Sequence, residues 1–341
     1  MVCTRCSTYN QASYILDALN GFAMQETTFP VVSVIVDDAS TDNEPQVILD
    51  YFNENFAVND ASVAYQEETD YGRIFYAQHK KNKNCYFAIL LLKENHYSQR
   101  KSKRPYLSRW QDNAKYIALC EGDDYWTNPH KLQKQVDFLE LHPDYSLCCH
   151  RFKIFYEASG EWGDDYGTKA FEVNPGVDGI DVTNEENFRT RLTWTLTLCY
   201  RKDAADRIVW PPYKYGGRDF NFHYHLLKQG YGWCFSDYMG VYRKHNGGVW
   251  SQLSSIDGAK VRLNCYRDLQ KYNQEDNIIT ECYLEWLDRF FDDIVISPYR
   301  RHRLTRNGIK NLGFYLKHSL KVNGPLETVK KATICLKALF V

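Results

Sequence analysis

Glu121, Asp123 and Asp124 stand almost side by side at the end of a short apolar run, Tyr116-Ile117-Ala118-Leu119-Cys120, with Tyr125 and Trp126 directly after them. Ionised carboxylates packed this closely repel one another, and a hard divalent cation, Mn2+ or Mg2+, lets them share one place. In open α/β sheets ligands bind just beyond the carboxyl ends of strands, where this cluster would fall. Gly-Asp-Asp is also ordinary turn chemistry, so an acidic turn that merely closes a strand competes with the metal reading. A second acidic pair, Asp37-Asp38, closes the β-branched run Val31 to Val36 and leads into Ala39-Ser40-Thr41-Asp42. Ionised carboxylates only accept hydrogen bonds, which suits a ring N–H or a ribose hydroxyl; capping of the following helix is the competing use.

The elements that must position these groups read as strand, helix, strand, helix. Val2 to Ser7 is a first strand. Asn10 then precedes a helix from about Gln11 to Met24, in which Tyr14, Ile15, Ala18, Leu19 and Phe22 recur at helical spacing. Val31 to Val36 has the composition of a strand buried on both faces of a parallel sheet. A helix to about Phe56 follows, and Tyr86 to Leu92 is a third apolar run. This is the pattern of βαβ units. Pro129 opens a helix through about Leu141. Beyond Leu147 the pattern loosens. Residues 159–190 read as a long loop or insertion, Thr193 to Tyr200 as a strand, and Asp219 to Gln229 as a helix. Trp233 to Arg243 reads as one strand or two, and the chain from about Asp257 as helical.

With 341 residues, 44% hydrophobic and 25% charged, the chain has the composition of an ordinary globular protein. A net charge of -1 gives no reason to expect nucleic acid as a partner. The 26 Tyr and 8 Trp supply amphipathic faces that suit sugars and bases, although core packing also absorbs such residues. Eleven cysteines are an odd, irregularly spaced set, and Cys3-x-x-Cys6 has no matching pair. Most lie in apolar runs and read as reduced, buried thiols of a reducing compartment. The opening residues read as carrying no secretory signal, and no run of about 18 apolar residues is present to span a membrane.

In these features the chain resembles the family 2 glycosyltransferases, inverting enzymes of the GT-A fold that use nucleotide-diphospho-sugars. The resemblance is carried by Cys6-Ser7-Thr8-Tyr9-Asn10-Gln11 and by Val34-Ile35-Val36-Asp37-Asp38-Ala39-Ser40-Thr41-Asp42. Most specific is Glu121-Gly122-Asp123-Asp124-Tyr125-Trp126 with Pro129, Lys131-Leu132 and Gln135 behind it. It covers roughly residues 1–150 and continues more weakly through Gly217-Arg218-Asp219 and Tyr242-Arg243-Lys244-His245. The implied fold is α/β, GT-A: a Rossmann-like, mostly parallel central sheet flanked by helices, with a helical C-terminal extension. A donor-binding half would occupy 1–150, an acceptor-binding half 151–256, and a basic helical extension 257–341.

The resemblance also implies a nucleotide-diphospho-sugar donor, a UDP-sugar by analogy, and a glycan or lipid-linked saccharide acceptor. Mn2+ or Mg2+ would bridge the donor phosphates. Asp124 is the implied direct metal ligand, with Glu121 acting through water or the ribose and His245 as a further contact to the metal or pyrophosphate. Asp123 would hydrogen-bond the sugar or ribose. Asp38 would contact the base, Tyr9 would stack on it, and Ser7 and Thr8 would line the pocket, with Asp37 and Trp126 in the same donor site. Asp219, opening a helix, is the implied general base. The family carries an acid just before this position, and here Arg218 stands there instead. Trp250, beyond the Gly-rich turn after His245, would cover donor or acceptor.

Two basic segments remain. Lys93 to Arg109 is either a loop closing on the pyrophosphate or a solvated charge run. Near the C-terminus Arg300, Arg301, Arg303, Arg306, Lys310, Lys317, Lys321, Lys330 and Lys331 alternate with Leu312, Phe314, Tyr315, Leu320, Ile334, Leu336, Leu339 and Phe340. Such a tail can lie on an anionic membrane surface, or pack on the catalytic domain with its basic side wet. The expectation is a cytoplasmic enzyme, peripheral at the inner face of a membrane, that builds a bacterial surface polysaccharide. A nucleotidyltransferase would need a Gly-rich basic loop after the first strand, and Ser7 to Tyr14 has none. An inactive glycan- or nucleotide-binding module stays open because of Arg218. Glycoside hydrolysis sets its two carboxylates across a cleft, not on one loop.

Overall fold

Alternating aliphatic and β-branched runs build the middle of one sheet. The structure, a computed structural model, describes residues 1–214, 218–248, 251–296 and 306–337. Gly217, Trp250, Arg300, Arg301, Arg303, Leu339 and Phe340 of the readings above lie outside the described residues. Strand β1 (Val2–Thr8) pairs in parallel with β2 (Val31–Asp37), with Thr8 opposite Asp37. A hairpin of β3 (Ala64–Glu68) and β4 (Gly72–Gln78) joins antiparallel to β5 (Cys85–Leu92), which itself lies parallel to β2. On the other side β6 (Tyr116–Leu119) runs parallel to β1. The strands β6, β1, β2 and β5 therefore end at the same edge, and the acidic segments after β2 and β6 emerge together.

The sheet continues through β7 (Tyr125–Trp126), β8 (Tyr145–Tyr156), β9 (Glu161–Asp164), β10 (Gly179–Val182), β11 (Cys199–Arg201) and β12 (Tyr231–Lys244). The order is β10-β12-β8-β11-β6-β1-β2-β5-β4-β3, with β7 on β12 and β9 on β8. The α/β class is as expected, but the sheet is mixed rather than mostly parallel. Antiparallel β11 sits between β6 and β8, and hairpin pairings build both flanks. Two other expectations need correcting. Residues 159–190 are not one loop: they hold β9, β10, and the helices α5 (Thr168–Glu172) and α6 (Asn184–Thr190), numbered after four helices given next. Thr183 and Glu186 close a reciprocal capping box on the second of these. Thr193 to Tyr200 is mostly a 3-10 turn, Thr195–Thr197, before the short β11.

Helices α1 (Ile15–Ala23), α2 (Glu44–Asn55), α3 (Arg104–Gln111) and α4 (Lys131–Leu141) cover the parallel strands. Ile15, Ala18, Leu19 and Phe22 of α1 enter a core shared with Ile48, Phe52, Phe56, Leu132 and Leu139. Gly21 lets α1 approach closely, since a Cβ there would lie 2.9 Å from the backbone nitrogen of Trp126. All eleven cysteines are buried. Helix α7 (Lys202–Asp206) follows β11, and α8 (Arg218–Leu227) precedes β12.

The chain forms two compact units, one of Met1–Ile208 with His225–His245 and one of Val209–Tyr224 with Asn246–Val341. In the second unit α9 (Ser255–Tyr272), capped by Ser254, is followed by α10 (Asn277–Phe290) and a π-helical turn, Phe291–Val295. Two further helices span Arg306–Val322 and Gly324–Lys337. Phe314 and Tyr315 pack on Phe290 and Phe291 at ring separations of 5.5 and 4.8 Å. His318 is buried between Tyr283, whose hydroxyl it meets, and Arg267 at 3.3 Å. Among the described residues no helix is long and apolar enough to cross a membrane.

Candidate functional site

The acidic turn after β6 is laid along the end of β1 by backbone bonds, Cys120 N to Arg5 O at 3.2 Å and Gly122 N to Ser7 O at 3.3 Å. Gly122 is required there, because a Cβ would lie 2.4 Å from Thr8 Oγ1. Asp38 N bonds Thr8 O at 3.0 Å, so the ends of β6, β1 and β2 lie side by side. Ser7, Thr8, Asp37, Asp38, Glu121, Asp123 and Asp124 thus share one edge of the sheet.

Within this edge Asp124 is a buried carboxylate. Its Oδ1 accepts from Arg243 N at 2.9 Å. Burial, and after it the neighbouring Asp123 and Glu121 carboxylates, push its carboxyl well above the ordinary range, against the pull of Arg243. His245 Nε2 donates to Asp123 Oδ2 at 3.0 Å, and its ring lies 4.5 Å from that of Tyr14. The ring nitrogen facing the turn is therefore engaged by Asp123. Arg243 ties the region together: Nε donates to Asp123 O at 3.0 Å, Nη2 to Asp17 Oδ2 at 2.5 Å, and Nη1 to Glu157.

The donor-side residues divide. Tyr9 is 43% exposed, and Ser7 is half-buried, so both can meet a ligand. Thr8 is buried, with its hydroxyl on Glu44 and 2.7 Å from Gln11 Oε1. Asp37 Oδ1 accepts from Ser40 N at 3.1 Å, the turn-capping role, while its buried Oδ2 has no hydrogen-bond partner among the described residues. Burial raises its carboxyl above the usual range. Asp38 is occupied elsewhere: Oδ1 accepts from His96 N at 2.8 Å, and Oδ2 from Tyr97 N and Lys103 Nζ at 3.0 and 2.9 Å. It anchors the basic segment after β5, a use that its approach to a base would have to displace. Trp126 is packed inward. At 2% exposure its indole packs edge-on against Phe22, carries Lys131 Nζ 3.8 Å above its ring, and donates to Leu196 O at 2.8 Å. Asp219 is exposed in the first turn of α8, in the second unit.

Glu44 was not anticipated. Fully buried, it accepts from Thr8 Oγ1, from Gln11 N at 2.9 Å and from Ser40 Oγ at 2.8 Å, joining the loops after β1 and β2. An acid before a proline at a helix start is the signal for it, and it is a weak one.

Among the described residues no group of three or more His, Cys, Asp and Glu side chains is arranged to hold a metal ion. Mg2+-like ions are commonly held by one or two carboxylates, with waters and substrate phosphates completing the shell. Asp123 and Asp124 form a donor set of that kind, with Arg243 and His245 holding them from behind.

No model of a known protein family matches the chain. It is 30% identical over 243 residues to the uncharacterized proteins Mb1547 of Mycobacterium bovis and Rv1520 of Mycobacterium tuberculosis. That match covers 71% of this chain and 58% of the length of those curated relatives. Among solved structures, S. aureus TarS 1–349 in complex with UDP-GlcNAc superposes with a TM-score of 0.61 at 17% identity, over 99% of this chain and 89% of that one. The UDP complex of the same protein gives 0.60 with the same coverage. The chain has the GT-A fold. At this identity the likeness shows the fold alone.

Proposed function

We propose that the chain is an inverting glycosyltransferase that moves a sugar from a nucleotide-diphospho-sugar to a saccharide acceptor. One observation carries the reading: the Glu121–Asp124 turn lies against the loops after β1 and β2 at the carboxyl edge of a GT-A sheet. TarS, of the same fold, has been crystallised with UDP and with UDP-GlcNAc, and a UDP-sugar is the proposed donor. Tyr9 supplies an exposed ring for the base, and Ser7 and Asp123 supply acceptors and donors for ribose or sugar hydroxyls. Mn2+ or Mg2+, held by Asp124 with Glu121 acting through water, would neutralise the charge that develops on the leaving diphosphate. Arg243 and His245 fix Asp123 and Asp124 in place.

Asp219 is the proposed general base. Its exposure and first-turn position let it accept the proton of an acceptor hydroxyl that attacks C1 as the nucleotide departs from the opposite face. The acceptor is proposed to be a glycan on a lipid carrier, with the enzyme peripheral at the cytoplasmic face of a membrane. Exposed Leu326, Val329 and Ile334 beside Lys330 support that placement. The test is NMR of product formed from UDP-sugars and saccharide acceptors. Transfer with inverted anomeric configuration, lost in Asp219→Asn with nucleotide binding kept, is expected. Retention of configuration, or full activity in Asp219→Asn, would overturn the mechanism.

A further inference from the structure

The β8–β9 ribbon carries a feature that the donor site does not use. Register places Trp162 opposite Phe155, and Phe155 opposite Arg243, on one rung across three strands. The side chains follow each other along that rung. Arg243 lies 6.0 Å from the Phe155 ring centroid, and the Phe155 and Trp162 rings are 4.7 Å apart. Because side chains alternate between sheet faces, Lys153 and Asp164 share this face with Phe155 and Trp162. Two strand spacings put Trp162 about 10 Å from the residue that grips the acidic turn.

Trp162 is 58% exposed, a large aromatic left open where a neighbouring ring is available to pack it. Beside it lies a cavity of about 290 Å3 lined by Lys153, Trp162, Gly163 and Asp164. Lys153 Nζ pairs with Asp164 Oδ1 at 2.5 Å, and Tyr238 Oη donates to the same oxygen at 3.1 Å. Both of these bonds fall on Oδ1, so Oδ2 can accept from a further hydroxyl. Tyr238 is itself held beneath Arg151 and Lys153, at 4.3 and 4.2 Å. A flat indole face flanked by a carboxylate and an ammonium matches a hexopyranose: the C–H face stacks on the ring, and vicinal hydroxyls meet the paired charges.

We propose that Trp162, Lys153 and Asp164 form a saccharide subsite that holds a hexopyranose ring of the acceptor, on the sheet face that carries the Arg243 side chain. This deepens the transferase reading and rests on it for the role of acceptor. The subsite holds a sugar of the acceptor chain beyond the reacting one, so its loss weakens acceptor binding and leaves the donor untouched.

The test uses the full chain labelled with 5-fluorotryptophan, the Trp162 resonance being assigned from Trp162→Phe. Chitotriose, cellotriose and maltotriose are titrated, with UDP in a separate arm. At least one trisaccharide shifts the Trp162 resonance saturably in the millimolar range. By saturation-transfer NMR, Trp162→Ala weakens that saccharide at least tenfold and Asp164→Asn several-fold, with UDP affinity unchanged in both. No shift with any of the three, or wild-type saccharide binding by Trp162→Ala, overturns the subsite. If UDP binds and no saccharide does, the subsite falls and the transferase reading stands. If a saccharide binds through Trp162 and UDP does not bind, the subsite stands and the transferase reading falls.

Discussion

Replacing Arg243 by Met removes the guanidinium from its place between β12 and the acidic turn while keeping much of the side-chain volume. Breaking a fully buried ion pair costs about 3–5 kcal/mol. Here the Arg243 side chain is 8% exposed, but its partners Asp17 and Glu157 are 52% and 30% exposed. Both carboxylates regain water when abandoned, which lowers that part to about 2 kcal/mol. Asp123 O also loses its donor, adding about 1 kcal/mol. The sum, about 3 kcal/mol, corresponds to a fall in Tm of about 6–12 °C for a unit of this size. Lysine should not rescue it, because one ammonium cannot meet three partners in a fixed fork. Calorimetry measures the melting shift, and titration of UDP measures the accompanying loss of affinity, expected to exceed tenfold as the turn loses its support. A variant that melts within 1 °C of wild type, or that binds UDP unchanged, would refute the claim that Arg243 sets the turn.

Three other outcomes follow from the same contacts. Glu44→Ala strands the Thr8, Gln11 and Ser40 donors, so denaturation should show a loss of about 3 kcal/mol and nucleotide titration a weakened complex. Trp126→Phe should lower stability by about 2 kcal/mol, through the lost bond to Leu196 O, yet leave nucleotide affinity within twofold. A donor contact at Trp126 would show the opposite. Burial, with Arg267, Lys317 and Lys321 nearby, lowers the His318 pKa to about 3. The unfolded chain takes up that proton near pH 6.5 and the folded chain does not, so stability falls as pH drops below 6.5 and levels off near 3. About 2 kcal/mol should be lost by pH 5, and His318→Gln should flatten that part of the profile.

The parallel strands were legible because β2 and β5 are mostly apolar runs, buried along nearly all their length. Strand β12 was read as one strand or two, since irregularities at Phe235/Tyr238 and Tyr238/Gly240 break its two-residue period. The β3 strand, Ala-Tyr-Gln-Glu-Glu, is polar and largely exposed, with nothing apolar to announce it. In the site, three clustered carboxylates announced themselves by their mutual repulsion. Their supports did not. Asp38 meets donors 58 and 59 residues away, and Glu44 meets Thr8 across 36 residues, distances at which no local pattern operates. An aromatic after an acidic turn looks like a ligand contact, yet the Trp126 N–H bonds a carbonyl 70 residues on, which no local pattern announces.

Isothermal titration of UDP, GDP and dTDP, with and without Mn2+, against wild type and Asp124→Ala addresses the central claim most directly. The account predicts that one nucleotide binds in a cation-dependent way and that Asp124→Ala abolishes this binding while remaining folded. Binding of no nucleotide under either condition, or unchanged cation-dependent binding by Asp124→Ala, would contradict it.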